Sequence, residues 1–380
     1  MHYIALKMLT GDRAKYLGLI FTIAFASFLL ANQISIFSGI IKRTASQVLD
    51  VVDADVWVMD PATEYFDEVK PLKETDLLRV RGVAGVQWAV RLFKGMPRAT
   101  APDGRFRQVI LMGLDDATLV GAPHGRMRVG RIEDLRRPES VVIDYAGYRY
   151  FWPEGAVVTG RILEMNDRRV RIVGIADASA PFATFPVAFT RYSQALQSIG
   201  RERNQLSFVL VKARAGLEPR VLAARIASQT GLSAMTGDAF AWQTMRYYLR
   251  NTGIPINFGI TIGIALIVGV VVMGQTFYIF TLENLRQFGA LKAIGVADRT
   301  LVGMILLQAL VVGAIGYALG MGLCAAFFEI TLDNLPTRGL VVRTEAFIGV
   351  GVTVLAIVCA ASLLSIRRVL VLEPAVVFRG

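Results

Sequence analysis

Histidine and cysteine are almost missing from this 380-residue chain, which has two of each. His2 and His124 cannot supply the three or four ligands of a zinc site, and no Cys/His cluster accompanies them. The same scarcity removes triads of the Ser-His-Asp type. Cys324 and Cys359 both fall inside long apolar runs, so the polar part of the chain is expected to hold together by packing rather than by a disulfide. No G-x-x-x-x-G-K-[ST] loop occurs, so the chain does not carry a P-loop ATPase of its own. The apolar runs also lack mid-span Asp, Glu, Lys and Arg, the groups on which proton relays and ion pumps depend. Asn32, Gln33, Gln275 and Gln308 are the polar side chains that stand out there.

What the chain has in excess is apolar surface. It is 54% hydrophobic, with a mean hydropathy of +0.50. The excess lies in four runs, 16–42, 254–281, 300–328 and 346–366. Each supplies the roughly 20 helical residues needed to cross a hydrocarbon core of about 30 Å. Between the first two runs, residues 43–253 have ordinary globular composition and suffice for a domain with its own core. The expected fold is a membrane protein with four transmembrane α-helices and a large α+β extracytoplasmic domain inserted between the first and second spans. The net charge of +11 is assigned to basic residues flanking the spans and decorating the domain, not to nucleic-acid binding. Residues 1–15 form an amphipathic cytoplasmic segment. The run after it exceeds the 7–15 residues typical of a signal-peptide core, so it is taken as a retained span.

Inside the inserted domain, residues 55–61 predict a first strand, 72–83 a helix, and 86–93 with 106–114 two paired strands. A second unit follows: a strand at 140–143, a helix at 145–151, and a hairpin over 160–175 turning at Asn166-Asp167. Arg169 and Arg171 alternate onto the hairpin's open face, a solvated surface rather than an anion site. Further along come a strand at 206–212 and helices at 218–230 and 239–249. The two groups read as two α+β units in series, joined to the spans by helical stalks.

Charge orients the spans. Lys7, Arg13 and Lys15, then Arg286, Lys292 and Arg299, then Arg367, Arg368 and Arg379 fall on one side of a four-span protein, which is cytoplasmic by the positive-inside rule. The loop 329–345 and the large domain fall outside, and 367–380 forms a cytoplasmic tail. Asn32 and Gln33 are expected at helix–helix contacts. Gly259 with Gly263, and Gly316 with Gly320, have the four-residue spacing that permits close helix packing.

The stretch 282–299, LENLRQFGALKAIGVADR, lies between the second and third spans. Leu282, Leu285, Phe288, Leu291 and Ile294 recur every three residues, with Glu283, Arg286, Gln287 and Lys292 supplying a polar side. Gly295 follows where a left-handed residue would end the helix, and Asp298 stands where the next would be capped. A membrane protein without ionisable relay groups needs an outside source of energy, and this cytoplasmic helix is suited to receive it. Whether the polar set or the apolar set around Phe288 and Leu291 would make the contact is open at this point.

The run Glu283-x-x-Arg286-Gln287-Phe288-Gly289-Ala290-Leu291-Lys292-Ala293-Ile294-Gly295 resembles the signature of the MacB/FtsX-like family of ABC transporter permeases. TGIPINFG at 252–259, GQTFYIF at 274–280 and ILLQA at 305–309 look most like DevC-type exporter permeases, and Glu373-Pro374-Ala375 resembles the family's terminal motif. The resemblance implies a permease that hydrolyses nothing itself. A separate ABC ATPase, carrying ATP and Mg, would dock on the coupling helix through Glu283, Arg286, Phe288, Gly289, Leu291, Lys292 and Gly295. It further implies a homodimer in the inner membrane, with both termini cytoplasmic, working by mechanotransmission. A membrane-fusion protein and an outer-membrane channel would complete a tripartite exporter. Two alternatives share the resemblance: an FtsX-like regulator of cell-wall hydrolases, and a LolC/LolE-like lipoprotein-releasing permease.

Overall fold

The computed structural model describes residues 2–199, 205–331, 340 and 342–370. The motif Glu373-Pro374-Ala375, Arg379, the Arg367 and Arg368 side chains, and most of the 329–345 loop lie outside the described residues. In chain order, α1 (His2–Gly11) is followed by α2 (Arg13–Thr44) and the short α3 (Ser46–Asp50). Then come β1 (Val56–Met59), β2 (Leu72–Lys73), α4 (Glu74–Arg81), β3 (Val86–Gly95), β4 (Arg98–Thr100), β5 (Phe106–Gln108) and β6 (Ile110–Leu114). The middle of the chain forms β7 (Met127–Gly130), a 3-10 turn at Ile132–Arg136, β8 (Ser140–Asp144), α5 (Tyr145–Phe151), β9 (Ile162–Met165) and β10 (Arg168–Ala176). It continues with β11 (Val187–Arg191), α6 (Tyr192–Ile199), β12 (Gln205–Leu206), β13 (Phe208–Ala213), α7 (Pro219–Thr230), β14 (Ser233–Thr236) and α8 (Gly237–Asn251). Among the described residues, four helices follow: α9 (Ile254–Glu283), α10 (Leu285–Ala293), α11 (Asp298–Ile330) and α12 (Thr344–Leu370).

The described residues form two compact units, one drawn from 2–39, 253–331 and 340–370, the other from 40–252. Apart from a separate two-stranded β2–β12 ladder, the second is built on one 12-stranded sheet rather than two units in series. Its strands run β14-β1-β13-β3-β6-β11-β8-β10-β9-β4-β5, with β7 beside β10. The join is β11, which pairs parallel with β6 and antiparallel with β8. Sequence periodicity passes over β11 because its five residues are buried or nearly so and show no alternation. Strand alternation in β13 sends Val209 and Val211 to one face and Phe208 and Leu210 to the other, and both faces are covered. On one side α4, α6 and α7 bring Leu77, Val80, Ala195, Leu222 and Ile226 onto the sheet. On the other, α3 and α8 bring Val48, Phe240 and Ala241 onto Trp57, Phe66 and Phe208. The Trp57 ring lies 5.4–6.1 Å from those of Phe66, Phe208 and Phe240, within the range of favourable aromatic contact. The β9–β10 hairpin turns at Asn166 and Asp167 with φ of +46° and +65°, the two successive positive values that a two-residue type I′ turn requires.

In the first unit, α2, α9, α11 and α12 are each long and apolar enough to cross a membrane. Gly316 and Gly320 lie where α11 meets α2. A Cβ at Gly316 would meet Ile23 at 2.6 Å, and one at Gly320 would run into the Ala24 carbonyl. Gly259 and Gly263 differ: nothing in the described chain lies within 4 Å of a Cβ at either. They share an open α9 face with Ile256, Ile260, Ile264 and Ile267, a surface that acyl chains satisfy. Asn32 and Gln33 are half-buried, and Asn32 Oδ1 has no hydrogen-bond partner among the described residues. The α1 helix packs its Ala5 and Leu9 into the unit's core, and Gln308 Nε2 donates to the Ala5 carbonyl at 2.8 Å.

The glycine geometry makes a paired prediction. Gly320→Leu forces bulk against the α2 backbone and is expected to cost roughly 1–3 kcal/mol or more, as overpacking does. Gly263→Leu meets open space and should leave the stability of the purified protein, read from thermal unfolding, within about 0.5 kcal/mol of the parent. Equal losses from the two would show that the α2–α11 crossing is not where the helices are tightest.

Candidate functional site

The second span and the stretch after it are nearly continuous. The α9 helix runs through Glu283, so Glu283 belongs to its last turn rather than to the short helix. Asn284 makes the break: its side chain donates to the Phe280 carbonyl at 2.8 Å, while its own carbonyl accepts the amides of Gln287 and Phe288. The α10 helix then ends in a Schellman motif. The Gly295 amide donates to the Lys292 carbonyl and the Val296 amide to that of Leu291, both at 3.1 Å. Gly295 has φ of +94°, the conformation that favours glycine.

One face of α10 is committed inward. Phe288 is fully buried and Gly289 is buried beneath it, while Leu285, Leu291 and Val296 pack half-buried on the same core. Phe288 and Leu291 are thus held by the chain's own helices. Lys292 is turned inward as well, with its side chain 21% exposed. Its ammonium pairs with Asp298 at 3.3 Å and donates to the Leu370 carbonyl at 2.8 Å, tying α10 to the start of α11 and the end of α12. Both contacts suit the dipoles, with a cation at a helix C-terminus and a carboxylate in a first turn. Asp298 is the first helical residue; the capping position is Ala297, which offers no side-chain hydrogen bond.

The open face carries Glu283, Arg286, Gln287 and Ile294, the last 81% exposed. Periodicity does not identify the second wall of the site, which α1 supplies. Lys15 bridges Glu283 at 2.8 Å and Asp12 at 3.0 Å, and its ammonium holds the Asp12 carboxyl below the usual range. Between α1 and the α9–α10 junction lies a groove of about 570 Å³, lined by Tyr3, Lys7 and Met8 on one side and Asn284 and Gln287 on the other. Tyr3 is 71% exposed, with Lys7 over its ring at 5.7 Å. The only signal for this wall in the sequence is the mixture of basic and apolar residues before the first span.

Four apolar helices, an α+β domain inserted after the first, and a short docked helix between the second and third define a multi-pass membrane permease. Residues 17–229 match the family of MacB-like periplasmic core domains, and residues 242–374 the FtsX-like permease C-terminal family. The chain belongs to this MacB/FtsX permease family. An uncharacterized ABC transporter permease of Mycobacterium tuberculosis is 26% identical over 372 residues, covering 96% of this chain and 93% of the relative. Another, from Mycobacterium bovis, is 25% identical over 347 residues, covering 88% and 87%. The periplasmic region of MacB from Actinobacillus actinomycetemcomitans is 15% identical, covering 54% of this chain and 96% of its own, with a TM-score of 0.39.

The burial of Phe288 makes a prediction about α10 itself. Phe288→Ala is expected to cost about 3–5 kcal/mol, as large core truncations do. Arg286→Glu, on the open face, should change stability by no more than about 0.5 kcal/mol. Thermal unfolding of the two purified variants separates these outcomes.

Proposed function

We propose that the chain is the transmembrane subunit of an ABC exporter, driven by ATP hydrolysis on a separate ATPase subunit, as in DevC-type systems. The observation that carries this is the division of α10: one face is locked into the helical unit through Phe288 and Lys292, and the other offers Arg286, Gln287 and Ile294. A partner that grips the open face moves α9, α11 and α12 with it, because the buried face does not yield separately. The absence of a P-loop and of mid-span ionisable groups from the sequence supports borrowed energy. ATP and Mg belong on the partner, and the α1 groove supplies the rest of its footprint.

In this reading the permease works as a homodimer by mechanotransmission: movement begun at α10 is passed along the chain through α9 and α8 to the inserted domain. Substrate does not travel through the apolar spans. The domain lies outside the inner membrane with both termini in the cytoplasm, and a membrane-fusion protein and outer-membrane channel complete the path.

Arg286→Glu combined with Ile294→Ser alters only the open face and is expected to weaken co-purification of the ATPase about tenfold or more, as loss of interface anchors does. Undiminished co-purification with a correctly folded variant would overturn the docking surface. The orientation is tested separately. Asp167→Cys, at an exposed hairpin turn, should react with an impermeant thiol reagent in whole cells once the outer membrane is permeabilised. Labelling only after lysis would place the domain on the other side.

A further inference from the structure

A cavity of about 310 Å³ opens in the inserted domain where the chain between β1 and β2 meets β3 and β12. Val69, Pro71, Phe93, Met96, Ile199 and Leu206 make the apolar part of its wall, and Asp67, Lys94 and Ser207 the polar part. Set among them is a charge that burial should exclude. Lys94 is 5% exposed. Its ammonium donates to the Asp67 carboxylate and to the Phe66 carbonyl, and lies 4.3 Å from the centre of the Phe66 ring. Desolvation pulls the Lys94 pKa below the usual lysine range, and Asp67 opposes that pull.

The two partners are not equally free. The Lys94 side chain is 3% exposed and that of Asp67 is 37% exposed. If the pair opens, Asp67 passes into water at little cost, while Lys94 stays in an apolar wall and needs another anion. Asp67 has a second commitment: its Oδ2 accepts the Tyr248 hydroxyl of α8 at 3.0 Å. The same loop grips α8 elsewhere, through the Phe66 amide on Thr244 Oγ1 and through Gln243 on the carbonyls of Thr63 and Glu64. Tyr65 stacks on Tyr247 at 4.0 Å. One carboxylate thus joins the cavity to the helix that precedes α9 in the chain.

We propose that this cavity binds a small amphiphilic monoanion, an apolar chain ending in a carboxylate, whose head group takes the place of Asp67 on Lys94 and so loosens the loop's hold on α8. The apolar walls take the chain out of water, and the buried ammonium selects the head group. An uncharged amphiphile has nothing to offer Lys94 in exchange for Asp67, and a cationic one is repelled by it. The proposal goes beyond the coupling function and does not depend on the ATPase.

The test uses the full-length chain in lipid nanodiscs, titrated calorimetrically with octanoate, octanol and octylamine, with empty nanodiscs as the blank. Octanoate is expected to bind saturably, one per chain, about tenfold or more tighter than octanol or octylamine. Lys94→Met should abolish that preference and Lys94→Arg should keep it. Hydrogen exchange over residues 245–251 should quicken on adding octanoate to the parent protein. Asp67→Asn, which weakens the tie without emptying the cavity of its cation, should show the quickened exchange before any ligand is added. Equal binding of octanoate and octanol would reduce the cavity to an apolar crevice and overturn the proposal. So would no saturable binding to the folded parent chain, or octanoate binding that leaves exchange in α8 unchanged.

Discussion

A single buried ring explains why a nine-residue helix persists between two long ones. Helices this short are unstable alone in water, since nucleation costs more than so few hydrogen bonds return. Phe288 overcomes that by burying its whole side chain among the helices of the first unit, with Leu285 and Leu291 beside it. The Schellman turn at Gly295 closes the C-terminus, and Lys292 adds bonds to the two helices that follow in the chain. The α10 helix is therefore held by more than its chain connections: a core ring fixes one face, and a cation ties it to two other helices.

The inserted domain solves a different problem with the same economy. Its long sheet is apolar on both faces and must be covered twice. One cover is made of helices internal to the domain, α4, α6 and α7. The other is made partly of α3 and α8, the helices at the two ends of the insertion, whose Val48, Phe240 and Ala241 complete the core around Trp57. The domain therefore has no finished core without its own first and last helices. A displacement of α8 is felt by Phe208 and Phe66 directly, through ring contacts of 5.7 and 6.4 Å.

How much of this was legible in the residues depended on whether the signal was local. The four long apolar runs, the α5 helix and the Asn166-Asp167 turn were readable because length, composition and turn chemistry determine them within a few neighbours. The strand β11 was not, since it is short and buried on both sides and its partners β6 and β8 lie far away in the chain; hence one sheet was read as two units. In the stretch 282–299 the three-residue spacing identifies the helix and Gly295 its end. Spacing could not say which way Lys292 turns, because its partners Asp298 and the Leu370 carbonyl belong to other helices. Glycine spacing likewise treated two pairs alike, and only the crossing of α2 and α11 separates Gly316 and Gly320 from Gly259 and Gly263.

The distribution of charge draws these observations together. The sequence places no ionised side chain in the middle of any apolar run. The buried charge of Lys94 is set in the inserted domain, and the half-buried one of Lys292 at the ends of helices in the other unit. Each sits where it holds one element against another, Lys94 through Asp67 to α8 and Lys292 through Asp298 and Leu370 to α11 and α12. Ion pairs of this kind add little to stability, because desolvation offsets most of their attraction. They are specific instead about which partner they accept, and they come apart when another charge competes. Packing is what holds each unit together. The polar ties select which helices are joined to which.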